Sequence, residues 1–503
     1  MPTPFDHVKI PLVDIREVGV VKEARRGIAR ITGLPSCVYG QLVQFSQGTR
    51  GIIMGFDPRE VLAIILGDED SVSVGDSASS LAELLAVPVG EAFVGRVVNG
   101  LGEPIDDKGP IPPAPNVPNF PVFREAPGVM EREPVTEPMT TGIKIVDLVI
   151  PIGKGQRELI IGDRQSGKSS IGIDAVLNQR GKDIICIFCW IGGPRAGIEK
   201  VVHTFRNKGA MAYTIVVSAA ADVSAAEQYV APYAAAALGE YFMYNGKHVL
   251  LIFDDLTKHA WIYRQMSLLL ERAPGREAYP GDIFYLHSQL LERAGKLRAE
   301  RGGGSMTFLP IIETLQGDIA GYIQTNLISI TDGQLYVNST LFREGFKPAI
   351  DLGLSVSRIG SRVQHPGIQD VSGGLRLEYI QYREMLRMTK LRTRLSDEAL
   401  QKLKRGETLR ELLMQPNNQP IATEEQIVLF YAFKRKVLEA LTPPMLRTFI
   451  GHFFEYLTQD APTLVAAITE TKSLTADQKT RLDQAIVHYA RILKKEEHEE
   501  AAA

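Results

Sequence analysis

The run Gly162-Asp163-Arg164-Gln165-Ser166-Gly167-Lys168-Ser169 constrains this protein more than any other feature. It fits G-x-x-x-x-G-K-[ST] and falls between the apolar run Glu158-Leu159-Ile160-Ile161 and the helical stretch Ser169 to Asn178. Glycines let the backbone wrap closely enough for N–H groups to face phosphate oxygens, and the helix that starts there adds the positive end of its dipole. In such a loop the lysine, Lys168, reaches the β- and γ-phosphates, and the Ser169 hydroxyl coordinates Mg²⁺. Further buried strands are expected at Ile184 to Ile191, Thr214 to Ser218 and Val249 to Phe253, with helical segments between them, including the alanine-rich Ser224 to Phe242. Apolar strands alternating with helices argue for a parallel sheet covered on both faces. The last of these strands ends in Asp254-Asp255. An acid at the end of a buried strand beside a phosphate loop holds the magnesium hydration shell, and Asp254, first after the apolar run, is the candidate. The alternative is an aspartate that only caps the next helix.

The flanks read differently. Val18 to Ile31, Leu42 to Phe45, Gly51 to Met54 and Val61 to Leu66 are short apolar runs separated by Gly, Asp and Pro turns, which suggests a small closed barrel. Spacing alone leaves a two-sheet sandwich open. Glu103 to Pro121 is rich in Pro and Gly and reads as an extended linker. From about Leu375 the apolar spacing is helical: Leu375 to Leu391, Asp397 to Lys404, Thr423 to Leu441 and Leu446 to Leu457. A last helix opens on a capping box, Thr475 with Gln478, and places Leu482, Ile486, Tyr489 and Leu493 on one face. The tail Lys494 to Ala503 is charged, then alanine-rich, and is expected to fray.

With 45% hydrophobic and 23% charged residues and a net charge of -3, the 503-residue protein is an ordinary globular one with no electrostatic footprint for nucleic acid. Three cysteines do not make a disulfide framework. Cys186 and Cys189 form a C-x-x-C inside a strand, where positions three apart point to opposite faces, so they are expected as buried structural residues. The nine histidines show no metal-ligand spacing. No secretory signal opens the sequence and no apolar run approaches the ~18 residues of a membrane span, so any membrane role is expected to come through partners.

The sequence closely resembles the alpha subunits of F-type ATP synthases, from about Glu17 to the C-terminal helices. The resemblance is carried by Gly162-Asp163-Arg164-Gln165, Arg276-Glu277-Ala278-Tyr279-Pro280-Gly281-Asp282, Ile328-Ser329-Ile330-Thr331-Asp332-Gly333-Gln334 and the run from Pro348 to Arg358 that ends Ser355-Val356-Ser357-Arg358. It implies an N-terminal β-barrel (1–85), a central α/β P-loop, RecA-like nucleotide-binding domain (86–370) and a C-terminal α-helical domain (371–503). It implies ATP or ADP with Mg²⁺ as ligands. The implied partners are beta subunits in an alternating hexamer, a gamma central stalk and peripheral-stalk subunits. The implied location is the cytoplasmic face of the cell inner membrane, attached through the complex.

In the sister beta subunits a glutamate just after the domain's second strand polarises the attacking water, and family alpha subunits carry glutamine there. The matching segment Trp190-Ile191-Gly192-Gly193-Pro194-Arg195 places Gly193 at that position, and glycine can neither orient water nor accept a proton. The protein's own nucleotide is therefore expected to turn over slowly or not at all, with Glu199 the one nearby carboxylate that could substitute. Arg358 is expected to reach across the interface to the γ-phosphate in the beta site, on a loop shaped by Ser355. The protein's own nucleotide is expected to contact Gly162, Asp163, Arg164, Gln165, Ser166, Gly167, Lys168, Ser169, Asp254 and Glu313 around phosphates and magnesium. Phe342, Lys347, Gln415 and Asn417 are expected near the base; Asn417 replaces a family glutamine and Lys347 a common arginine. The short Pro-containing segment before Glu17 stands where alpha subunits usually carry a longer helix for the delta subunit. With Gly193 it points to a divergent, sodium-linked branch. Two other readings compete: a catalytic homohexameric ATPase of protein export or RNA translocation, and a scaffold stabilised by nucleotide.

Overall fold

The computed structural model describes residues 17–57, 59–112, 119–389 and 397–502. The short N-terminal segment, the middle of the Pro-rich stretch and the end of the helix expected over Leu375 to Leu391 fall outside them. The first domain is a closed barrel of six strands in the order Val18–Arg25, Ile28–Thr32, Glu60–Leu66, Arg50–Phe56, Gln41–Phe45 and Ser77–Leu84. Its first and last strands pair, Val18 with Ser79 and Val20 with Ser77, and that closure excludes the sandwich. The closing strand, Ser77–Leu84, is built mostly from small and polar residues, which is why hydrophobic patterning misses it. Along Glu60–Leu66 the residues alternate between two cores: Val61, Ala63 and Ile65 fill the barrel, while Leu62, Ile64 and Leu66 pack outward with the helix Ala225–Tyr244.

The central sheet runs Val356–Ser357, Gly333–Val337, Glu158–Asp163, Ser305–Thr314, His248–Asp254, Ile184–Ile191, Thr214–Ala219, Val97–Val98. The interior pairings are parallel, and only the Val356–Ser357 edge is antiparallel on this path. Cys186 belongs to one of the two cores flanking the sheet and Cys189 to the other, both as free buried thiols, as strand alternation requires.

The Glu103 to Pro121 stretch is not a free linker in its described part. Asp106 accepts two bonds from the Arg96 guanidinium (2.9 and 2.8 Å), and Phe120–Pro121 pairs with Ala86–Val87. The arm is pinned to the sheet edge because a buried carboxylate is tolerable only with such a partner.

The C-terminal domain comprises helices Leu375–Thr389, Asp397–Leu413, Thr423–Lys434, Pro443–Asp460, Pro462–Thr471 and Ala476–Ala502. The capping box is reciprocal: Gln478 N–H donates to Thr475 Oγ1 (3.3 Å) and Thr475 N–H to Gln478 Oε1 (2.7 Å). Leu482, Ile486, Tyr489 and Leu493 are all buried. The tail expected to fray continues this helix to Ala502, since Lys, Glu and Ala are strong helix formers. No described helix is long and apolar enough to cross a membrane.

Candidate nucleotide-binding site

The phosphate loop leaves the strand Glu158–Asp163 and enters the helix Lys168–Leu177. Gly162 is required by its neighbour: a Cβ there would lie 2.3 Å from the Val337 carbonyl. The loop turns through positive φ at Gln165 (60°) and Gly167 (98°), the latter immediately before the helix. Asp163 takes hydrogen bonds from Thr314 Oγ1 (2.7 Å), the Gly317 N–H (2.6 Å) and Ser339 Oγ. Burial works against its charge, yet these donors hold its pKa below the ordinary carboxylate value. Its role is thus to brace the loop from behind. Ser166 Oγ (2.7 Å) and Lys168 Nζ (2.6 Å) both donate to the Asp163 carbonyl. Burial lowers the Lys168 pKa against the pull of Glu313, Asp255, Asp254 and Asp163. Arg164 and Gln165 are exposed on the crest of the loop.

The two aspartates after the strand His248–Asp254 have separate tasks. Asp255 caps the helix Leu256–Leu269, accepting the Lys258 N–H (2.9 Å) and pairing with Lys258 Nζ (2.8 Å). Asp254 is left free of capping. Its carboxyl is bonded with Ser169, and its Oδ2 is buried without a partner. Burial first, then the charge of Asp255, pushes its pKa up to about 6. An orphaned carboxylate oxygen beside a loop hydroxyl suits a hydrated divalent cation. Glu313 stands at the end of the adjacent strand, its N–H bonded to Thr257 Oγ1 (2.8 Å).

A narrow cavity beside the loop gathers Ser166, Gly167, Phe342, Lys347, Gln415 and Asn417. Lys347 Nζ sits 4.7 Å from the Phe342 ring centroid. The Gln415 amide is committed to the wall: it donates to the Gly142 and Gln419 carbonyls (both 2.8 Å) and accepts the Lys144 N–H (3.0 Å). Asn417 is exposed. Sequence reasoning missed Asp174, which lines the same cavity and accepts the Asn418 N–H (2.7 Å). A signal for it exists in the helix period: Gly167, Ser170, Ile171 and Asp174 share one helical face.

Arg358 and Ser355 lie elsewhere. Ser355 is buried; its Oγ accepts the Tyr336 N–H (2.9 Å), and its carbonyl is gripped by Arg376. Arg358 is exposed, its backbone N–H tied to the Asp332 carbonyl (2.9 Å). The edge strand Val356–Ser357 pairs Ser357 with Gly333, which is level with Glu158, whereas Gly162 is level with Val337. Four strand residues thus separate the levels, about 13 Å before the loop itself is counted. Arg358 and the protein's own phosphate loop sit at opposite ends of the sheet.

At Gly193 a side chain would begin 2.4 Å from Trp190 Cζ2. The indole fills the place where a water-orienting group would project. Glu199 is exposed on the helix Arg195–Asn207 and lines a different cleft, with Asn99, Asp106, Arg195 and Arg206.

A barrel, a parallel sheet bearing a phosphate loop and a helical domain define a three-domain P-loop nucleotide-binding protein. Three family models match in the same order. They are the beta-barrel domain of the ATP synthase alpha/beta family over residues 14–81, its nucleotide-binding domain over 142–357 and its carboxy-terminal domain over 364–489. The protein belongs to the ATP synthase alpha/beta family. It is 47% identical over 477 residues to "ATP synthase subunit alpha" of Caldanaerobacter subterraneus subsp. tengcongensis, a match spanning 95% of this protein and 94% of that one. It is 48% identical to the protein of the same name from Clostridium acetobutylicum, again over 95% and 94% of the two lengths. For that of Clostridium botulinum the identity is 46%, over 94% of each.

Proposed function

We propose that the protein serves as the alpha subunit of an F-type ATP synthase, holding nucleotide in its own site without cleaving it and lending Arg358 to a site on an adjoining beta subunit. The observation that carries this reading is the strand register, which sets Arg358 at the end of the sheet away from the protein's own phosphate loop. A guanidinium so placed is out of reach of the protein's own phosphates, and on a phosphate held by another subunit it stabilises charge on the transferring phosphoryl group. The Trp190 indole packed over Gly193 supports the second half: no carboxylate or amide can stand there to orient water. A self-sufficient homohexameric ATPase would need such a group.

In its own site the protein cradles phosphates with the backbone from Gly162 to Ser169 and with Lys168, and places Arg164, Gln165 and Glu313 around them. Phe342, Lys347, Gln415 and Asn417 form the base side. Ser169 and Asp254 are the residues that would hold Mg²⁺, Asp254 through water. When bound, the ion neutralises phosphate charge. The domains divide near residues 85 and 370. The assembled complex, with beta, gamma and peripheral-stalk subunits, makes ATP from ADP and phosphate on an ion gradient or runs in reverse. The subunit sits peripherally on the cytoplasmic face of the membrane.

The test is an ATPase assay of the purified protein alone and after assembly with beta subunits. Alone, it binds ATP and turnover stays at background. Together they hydrolyse ATP, and Arg358→Ala lowers the rate on the order of a thousandfold while nucleotide binding to the protein's own loop persists. Brisk hydrolysis by the isolated protein, or an active Arg358→Ala complex, overturns the reading.

A further inference from the structure

Glu158 opens the phosphate-loop strand, yet its carboxyl serves neither the loop nor any ion pair among the described residues. It is fully buried; Oε2 accepts from Gln156 Nε2 (2.7 Å) and Oε1 has no hydrogen-bond partner there. What surrounds it is the strand that carries Arg358. A Cβ on Gly333 would meet the Val356 carbonyl at 2.3 Å, Glu158 Oε2 at 2.5 Å and Oε1 at 2.9 Å, so carboxyl and edge strand share the space that glycine leaves open. Gln156 Nε2 also reaches Ser357 Oγ (3.4 Å), and that hydroxyl donates to the Pro151 carbonyl (2.8 Å) and accepts the Gly360 N–H (3.3 Å). The series of contacts Glu158–Gln156–Ser357–Gly360 therefore grips the backbone on both sides of Arg358.

We propose that Glu158 is a positioning residue for Arg358: through Gln156 and Ser357 it fixes the backbone on both sides of Arg358 and so aims the guanidinium at the neighbour's phosphate. This rests on the reading of Arg358 given above.

The charges facing Glu158 favour the neutral form. Asp332, from the loop before Gly333–Val337, repels its ionisation, and Arg358, just after the edge strand, is the cation that opposes that effect. Arg157, just before its strand, is already paired with Asp332 (2.9 Å) and Glu292 (2.5 Å). From the neighbouring strand Ser305–Thr314, Phe308 is level with Arg157 and Ile311 with Ile160, so the residues between them, Leu309 and Pro310, bring no charge to this level. Burial, then Asp332, raises the Glu158 pKa well above the ordinary carboxylate value.

The experiment is a comparison of kcat and KM for ATP hydrolysis by the complex assembled with beta subunits. Glu158→Gln keeps the contact to Gln156 and cannot ionise. Its kcat and KM stay within about twofold of wild type, because the amide oxygen still accepts from Gln156. Glu158→Leu breaks the series of contacts and lowers kcat about tenfold, with KM and nucleotide binding by the protein's own loop unchanged. A Glu158→Gln complex that loses as much kcat as Glu158→Leu overturns the inference, as does a Glu158→Leu complex with wild-type kcat. Arg358→Ala is the control. If it abolishes activity while the Glu158 variants behave as wild type, only this inference fails; if it leaves activity intact, the reading of Arg358 fails first.

Discussion

At the scale of single residues, Trp190 and Gly193 act as one unit. The indole lies 2.4–2.7 Å from where a Cβ at 193 would stand, and it also crowds Gly197 (2.6 Å). Gly193→Ala is expected to lower stability by about 1–3 kcal/mol, and a smaller apolar residue at 190 to recover part of that loss. Thermal unfolding of the single and double variants measures this; additive losses would show that the two sites do not touch. A second residue-scale case is the pair His259 and His287, both fully buried with ring centroids 5.9 Å apart. Burial lowers the His259 pKa to about 4 and, with the charge of His259, that of His287 to about 3. In the unfolded state both protonate near the ordinary value of about 6.5, so below that pH the unfolded state binds more protons. Their contribution to stability is intact above about 6.5 and is lost as pH falls towards 4, amounting at about pH 5 to about 2 kcal/mol per ring. His287 has no hydrogen bond on either nitrogen among the described residues, so His287→Leu is expected to fold and to narrow the drop in thermal midpoint between pH 7 and pH 5. An unchanged drop would mean that other groups carry the acid sensitivity.

At the scale of elements, adjacent aspartates divide their work by which side of a strand end they occupy. Asp255 starts a helix and Asp254 faces the phosphate loop. Asp255→Ala is expected to cost about 1 kcal/mol or more of stability, through lost capping, and to leave Mg²⁺-dependent strengthening of nucleotide binding in place. Asp254→Ala removes a buried carboxyl with an orphaned oxygen, and is expected to abolish that Mg²⁺ dependence with little loss of stability. Titration of ATP with and without Mg²⁺ distinguishes the two. Position after the apolar run singles out Asp254 in the sequence Phe253-Asp254-Asp255-Leu256, whereas capping odds leave either aspartate as the cap and the backbone's entry into the helix selects Asp255. The same holds for the loop itself. Gly162 to Ser169 is legible from its residue types, whereas the brace on Asp163 comes from Thr314, Gly317 and Ser339, more than 150 residues downstream, where no spacing rule points.

At the scale of the whole molecule, the barrel is fastened to the nucleotide-binding domain through a buried ion pair. Arg293 and Glu240 are fully buried and joined by two hydrogen bonds of 2.7 and 2.9 Å, and Arg293 Nη1 donates to the Val122 carbonyl (2.9 Å) on the arm arriving from the barrel. Val122 in turn bonds Leu85, next to the last barrel strand. Glu240→Ala leaves a guanidinium uncompensated in the interior and is expected to cost about 3–5 kcal/mol, read by chemical denaturation. A loss under about 1 kcal/mol would show that the arm is held by its strand pairing alone.

The sequence by itself determined the phosphate loop, the apolar strands, four runs of the barrel (the first of which folds as two strands, Val18–Arg25 and Ile28–Thr32), the Thr475 capping box and the face of the last helix. Each of these is written in local periodicity or in residue types at fixed spacing. Tertiary structure alone decided barrel closure, the tether of the Pro-rich arm, the indole over Gly193, the buried amide of Gln415 and the place of Arg358 relative to the loop. Those depend on which distant segments become neighbours, and strand register, not position along the sequence, sets that distance.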